Sequence, residues 1–150
     1  MKDKRFTQVS STKGSEELLL WKDYSVYLYD EAIGRVYIGD FILELAKSDA
    51  STAENIVNFI EKFQEGKGLP LEMIKGKKPK IKEIALGNKL YEFREFSNGL
   101  KKHIRVYFLI DEKRKRVVFL SACFKSDNKK QDRDIKVAIS RQKEYLRKQK

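Results

Sequence analysis

Three runs of branched and aromatic residues, separated by two short polar breaks, dominate the second half of the chain and leave it little choice of fold. Residues 91–96, 103–110 and 116–124 each read as a strand. Asn98-Gly99 marks the first break, and residues 111–115 mark the second; both are made of residues that favour turns. Connections this short join antiparallel neighbours, because parallel strands need a long crossover. The spacing therefore predicts an antiparallel meander.

The flanking segments predict what covers the meander. Residues 1–17 are polar and without period, as expected of a flexible arm. Tyr24, Val26 and Leu28, then Val36 and Ile38, alternate with other residues, which predicts a first strand or a hairpin turning near Glu31 to Gly34. Residues 40–48 read as a short helix and residues 51–65 as a longer one. Ser51 and Glu54 have capping-box spacing. Ile56, Phe59, Ile60 and Phe63 fall on one helical face, and Gly66, Gly68 and Pro70 stop the helix. These two helices are expected as a hairpin packed on one face of the sheet. A basic loop spans residues 75–82, and a short strand over 81–86 can precede the meander. A last helix is expected over residues 132–147, with Ile135, Ala138, Ile139, Gln142 and Leu146 as its apolar stripe. No repeat or long linker divides residues 18–150, so one α+β domain is expected there.

Composition narrows the function classes. The single cysteine, Cys123, excludes an internal disulfide framework and supplies too few thiolates for a zinc cluster. Cys123 lies in an apolar run and reads as a small buried hydrophobe. No apolar run is long enough to span a bilayer, so the cytoplasm is the expected compartment. The net charge of +11 is unevenly placed: residues 1–74 carry 9 Lys/Arg against 13 Asp/Glu, and residues 75–150 carry 24 against 9, or −4 and +15. A basic half of this strength suits a polyanionic partner, and equally a lysine-rich surface kept soluble by repulsion.

Four local motifs occur in one order. Leu86-Gly87-Asn88-Lys89-Leu90-Tyr91-Glu92-Phe93-Arg94 is similar to an L-G-x-G-L-Y-E-L-R stretch. Residues 103–110 resemble x-Y-R-V-F-Y-F, and residues 117–125 resemble I-V-L-L-H-G-F-x-K-K. Asp134-Ile135, Ala138 and residues 141–146 resemble E-I-x-x-A-x-x-R-x-x-x-Y. These are motifs of the phage-derived, HigB-like branch of the RelE/ParE superfamily of toxin–antitoxin toxins, and together they cover roughly residues 20–147. Lys89 stands in place of a glycine, Ile104 in place of an aromatic residue, and Ser126 in place of a second basic residue.

The resemblance implies a RelE-like fold and a cognate antitoxin as partner. It also implies the ribosome and messenger RNA as targets, with no membrane and no small-molecule cofactor. RelE-type toxins cut messenger RNA in the ribosomal A site with basic residues at the positions matching Arg94, Arg105 and Lys125. ParE-type toxins share the fold but poison DNA gyrase by binding it. A phage or mobile-element protein that binds nucleic acid without cutting is a third possibility.

The residues themselves allow such chemistry without a metal or cofactor. The sequence has one histidine, one cysteine, no HExxH, no Walker loop and no Gly-x-Ser-x-Gly. RNA carries its own nucleophile, the 2′-hydroxyl. The protein must hold the phosphate, move protons and stabilise charge, and losing one fixed donor costs about 2.7–4 kcal/mol of transition-state stabilisation. Arg105 interrupts an apolar strand, where an unpaired buried charge is costly. Arg94 and Lys125 can join it on one face of a meander, although Arg94 can equally pair with Glu92 or Glu95, and Lys125 can be a solvated strand end. His103 is the candidate for proton exchange, with an ordinary surface position as the alternative. Tyr145 reads as packing and Tyr91 as structural. Lys77, Lys78, Lys80, Lys101, Lys102, Lys129, Lys130 and Arg133 are candidates for holding an RNA backbone, or members of solvated charge runs.

Overall fold

The computed structural model describes residues 19–29, 37–84 and 87–149. The expected arm at 1–17 and the turn near Glu31 to Gly34 lie outside the described residues. In chain order the elements are β1 (Leu19–Leu20), β2 (Ser25–Leu28), α1 (Tyr37–Ser48), α2 (Ala50–Gln64), β3 (Leu69–Pro70) and α3 (Glu72–Lys75). Then follow β4 (Ile81–Glu83), β5 (Leu90–Ser97), β6 (Lys102–Asp111), β7 (Arg116–Lys125) and α4 (Asn128–Lys148).

The expected meander is present. A five-stranded sheet runs β2-β7-β6-β5-β4, antiparallel throughout except that β2 pairs parallel with β7. The parallel pair is possible because a long stretch of chain separates β2 from β7. The sheet is packed on both faces, α1 and α2 on one and α4 on the other. Phe59 of α2 stacks on Phe93 with ring centroids 3.9 Å apart, and Phe63, Phe108 and Phe119 close the cluster around it. Beneath α4 the core is Leu90, Tyr107, Leu109, Val118 and Leu120, met by Ala138 and Tyr145.

A register shift decides which β7 residues face which layer. Tyr107 pairs with Ser121 but Phe108 pairs with Phe119, so β7 carries one extra residue there, a β-bulge. Before the bulge, Val117 and Phe119 face the helix hairpin; after it, Ala122 and Phe124 do. The bulge thus turns Cys123 and Lys125 to the α4 side.

Several expectations are corrected. Ile38 belongs to α1 and not to a strand; it is 1% exposed in the helix-hairpin core, where its spacing to Ile42 and Leu45 is helical. The first strand is only Ser25–Leu28, preceded by a separate two-residue pairing of β1 with β3. Trp21 and Asp23 sit between them at positive φ, so the chain cannot continue as one strand. Gly68 has φ +72°, and a Cβ there would lie 2.4 Å from the Leu20 carbonyl oxygen, so only glycine lets β1 approach.

The cap of α2 is Asp49, not Ser51. Its carboxylate accepts from Thr52 N at 3.1 Å and Thr52 Oγ1 at 2.7 Å. The last helix begins at Asn128, four residues early, because Asp127 caps it by accepting from Lys130 N at 2.8 Å. Its buried stripe is Ala138, Gln142 and Tyr145, whereas Leu146 is exposed. No described helix is long and apolar enough to cross a membrane.

Candidate functional site

Residues opposite each other in an antiparallel pair share a face, as do residues two apart along a strand. Arg94 lies opposite Arg105, Phe96 opposite His103, Arg105 opposite Cys123, and His103 opposite Lys125. The four residues expected to carry chemistry therefore lie on one face of three adjacent strands. This is the α4 side, toward the end of the sheet away from Tyr145.

Two guanidinium groups rooted on facing positions, with Cα atoms about 4.5–5.5 Å apart, would repel each other strongly in a dry setting. Glu92 resolves this. It is on the same face two residues before Arg94, and its side chain is 3% exposed. Its Oε2 accepts from Arg94 Nε at 2.8 Å and lies 3.6 Å from Arg105 Nε. Arg105 is itself nearly buried and donates from Nη1 to the Ile104 carbonyl at 3.0 Å, while its Nε has no hydrogen-bond partner among the described residues. Arg94 is about one-third exposed and spends only Nε on Glu92. Its terminal nitrogens remain available to an anion from solvent.

Arg94, Arg105, Phe96, His103 and Lys78 line an open hollow of about 310 Å³, bordered also by the Lys80–Glu95 ion pair at 3.3 Å. Lys125 is half-buried beside His103. Beyond Arg105 the floor becomes apolar. Tyr107 is fully buried, its hydroxyl has no hydrogen-bond partner among the described residues, and burial pushes its ionisation upward. Cys123 is likewise held protonated, its thiol pushed up to about 12 by burial, with the neighbouring Asp134 carboxylate adding to the effect.

The expected backbone-binding residues do not act as one group. Lys78 enters the hollow, while Lys77 is exposed in the loop before β4. Lys101 belongs to the β5–β6 turn and Lys102 opens β6, but Lys102 faces the other side of the sheet, with its ammonium 5.1 Å from the Phe124 ring centroid. Lys129 and Arg133 are exposed on α4. Lys130 is tied inward to the Phe124 carbonyl at 3.0 Å and to Asp134 at 2.9 Å.

Asp49 anchors the turn that carries Lys101 and leads into Lys102. Beyond capping α2, its Oδ2 accepts from Ser97 Oγ at 2.6 Å and Gly99 N at 3.3 Å. The Ser97 and Thr52 hydrogen bonds hold its carboxyl down at about 2.

Comparison with protein-family models matches residues 43–143 to the phage-derived protein Gp49-like family. The chain belongs to the Gp49-like family. That family is a branch of the RelE/ParE-like toxin superfamily. Searches of curated proteins and of solved structures gave no significant match.

The Gp49-like match spans all three meander strands and most of α4, so every residue of the hollow falls within it. Lys89, which replaces a glycine in the resembled stretch, keeps a glycine-like backbone at φ +64°. Its side chain is held by Glu112 at 2.7 Å. Tyr145 donates to Asp111 Oδ2 at 2.8 Å and accepts from Arg116 Nη1 at 3.1 Å. Asp111 is six residues along β6 from Arg105, about 20 Å at the rise of a strand. The terminal-helix tyrosine is therefore buried beneath α4 with its own polar partners, remote from the arginine pair. Two residues of this face are not among those the sequence picks out as working parts: Phe96, which lines the hollow, and Glu92, buried beside the arginine pair. Both carry a legible signal: they alternate with Arg94 and so share its face of β5.

Proposed function

We propose that this Gp49-like chain is the toxin of a toxin–antitoxin pair, an endoribonuclease that inhibits translation by cutting messenger RNA on the ribosome, independently of metal. In this reading the fold is a RelE-like arrangement of the HigB-like branch, and a cognate antitoxin holds the toxin inactive. One observation supports it above the others: Arg94, Arg105, His103 and Lys125 converge on the open end of a sheet face that α4 covers elsewhere.

The chemistry follows from the positions. A phosphate in the hollow meets the terminal nitrogens of Arg94, with Arg105 beneath it and Lys125 alongside. Guanidinium forks match paired phosphate oxygens and keep their charge at any physiological pH. The RNA 2′-oxygen forms the new bond to phosphorus, and the bond to the 5′-oxygen breaks. One proton leaves the 2′-hydroxyl and one arrives at the 5′-oxygen. His103 carries a proton in this exchange. Glu92 touches no substrate and keeps the two guanidinium groups side by side.

A second reading, a nucleic-acid-binding module that does not cut, is favoured by the remoteness of Tyr145, which takes the terminal-helix tyrosine out of the hollow. Inducible expression with primer-extension mapping of transcript ends separates the two. The nuclease reading expects growth arrest with new transcript ends for the wild type, and neither for soluble, folded Arg94→Ala and Arg105→Ala variants. Wild-type expression without new transcript ends refutes it, and filamentation with an SOS response points to gyrase instead.

A further inference from the structure

The hollow contains an aromatic surface that phosphate chemistry does not use. Phe96 is 36% exposed, one of the few large apolar side chains that the described sheet leaves in solvent. His103, directly opposite on β6, lies against it with ring centroids 4.8 Å apart and planes at 60°. The two rings form a corner: His103 closes one side, and the exposed third of Phe96 lines the hollow. Phe96 lies two residues beyond Arg94, about 7 Å along the strand, and His103 stands in the same relation to Arg105. An aromatic corner thus sits one nucleotide's reach from a paired-arginine phosphate seat.

We infer that Phe96, flanked by His103, is a stacking shelf for one unpaired RNA base, next to the nucleotide whose phosphate Arg94 and Arg105 hold. This rests on the RNA-directed reading above and specifies its substrate as single-stranded RNA with one base turned out of its stack. Three features select a nucleobase. The shelf is flat and apolar, as a base requires on its π-face. It is ringed by Lys78, Lys80, Arg94 and Arg105 against the carboxylates Glu92 and Glu95, a positive surplus that suits a phosphodiester chain. Glu95 is already engaged, accepting from Lys80 at 3.3 Å and from the Phe96 backbone N–H at 3.1 Å, so it does not confront the phosphate alone. A duplex has no base face to offer at this depth, because each base is covered by its neighbours.

The test uses the full chain and a short oligoribonucleotide with 2-aminopurine at one position and a 2′-deoxy block at that nucleotide and its neighbours. Affinity is read by anisotropy and stacking by 2-aminopurine quenching, both at low salt. The wild type is expected to bind the single strand, quench the probe, and bind the matching duplex more weakly. Phe96→Leu removes the ring at an exposed site and is expected to weaken binding about 5- to 150-fold and abolish quenching. Phe96→Trp restores both, and thermal melts confirm that each variant is folded. Binding without quenching, equal affinity for the duplex, unchanged affinity in Phe96→Leu, or no binding by the wild type each overturns the shelf. Transcript mapping with the Arg105→Ala variant is an independent readout, so the shelf can fail while the nuclease reading stands.

Discussion

Removing the Glu92 carboxylate should damage the protein more than removing the arginine it supports, and removing both should be milder than the sum. Glu92 and Arg105 have side chains only 3% and 8% exposed, so their charges are almost wholly out of water. With Glu92→Leu, Arg105 is left buried beside Arg94 without a counter-charge. Breaking a buried pair in this way costs about 3–5 kcal/mol, a large part of the roughly 5–15 kcal/mol that holds a domain folded. With Arg105→Leu, Glu92 still accepts from Arg94 at 2.8 Å. The loss is then nearer that of the charge-assisted hydrogen bond from Arg105 to the Ile104 carbonyl, about 1.5–3 kcal/mol. In Glu92→Leu/Arg105→Leu no buried charge remains, and Arg94 turns into solvent. The double variant should therefore lose at least about 1.5 kcal/mol less than the sum of the single losses. Urea denaturation of all four proteins, extrapolated to water and compared as a double-mutant cycle, measures this coupling. Additivity within about 0.5 kcal/mol, or a Glu92→Leu protein as stable as wild type, would refute the claim that Glu92 is the electrostatic clamp of the site.

Two further outcomes follow from the same geometry. Tyr145→Phe should lose about 1–3 kcal/mol in urea, because buried Asp111 loses its hydroxyl donor, while growth arrest and transcript cutting stay at wild-type levels; loss of cutting in a stable Tyr145→Phe protein would reinstate a terminal-helix acid. Asp49→Ala should melt at a lower temperature than wild type at pH 7, and the gap should close as pH falls from the ordinary carboxyl value of 3.8 toward about 2. The sign follows from the depressed value: the charged carboxylate stabilises the fold above it, and protonation removes that advantage. A gap that persists unchanged at pH 2 would mean that Asp49 acts through packing and not through its charge.

Much of this protein was legible from local pattern. The three runs from residue 91 to residue 124 form the meander because branched and aromatic residues between short turns have few other ways to pair. Ile56, Phe59, Ile60 and Phe63 face the core of α2 because helical spacing puts them on one side. Arg94 and Arg105 share a face because the Asn98-Gly99 turn sets their register, and Glu92 and Phe96 follow from the same alternation.

What local pattern could not carry is whatever depends on surfaces meeting from distant parts of the chain. The extra residue in β7 reverses strand parity, and it turns Lys125 to the face that carries His103 and Arg105 instead of toward the helix hairpin. Asp49 displaced Ser51 as the helix cap because its carboxylate also satisfies Ser97 and Gly99, nearly fifty residues away. Tyr145, not Leu146, turned inward because Asp111 and Arg116 offered its hydroxyl partners at the far end of the sheet. Periodicity specifies the face on which a side chain emerges. Only packing decides whether that face is covered, and here α4 covers the end that holds Tyr145, while Arg94, Phe96 and His103 line an open hollow at the other.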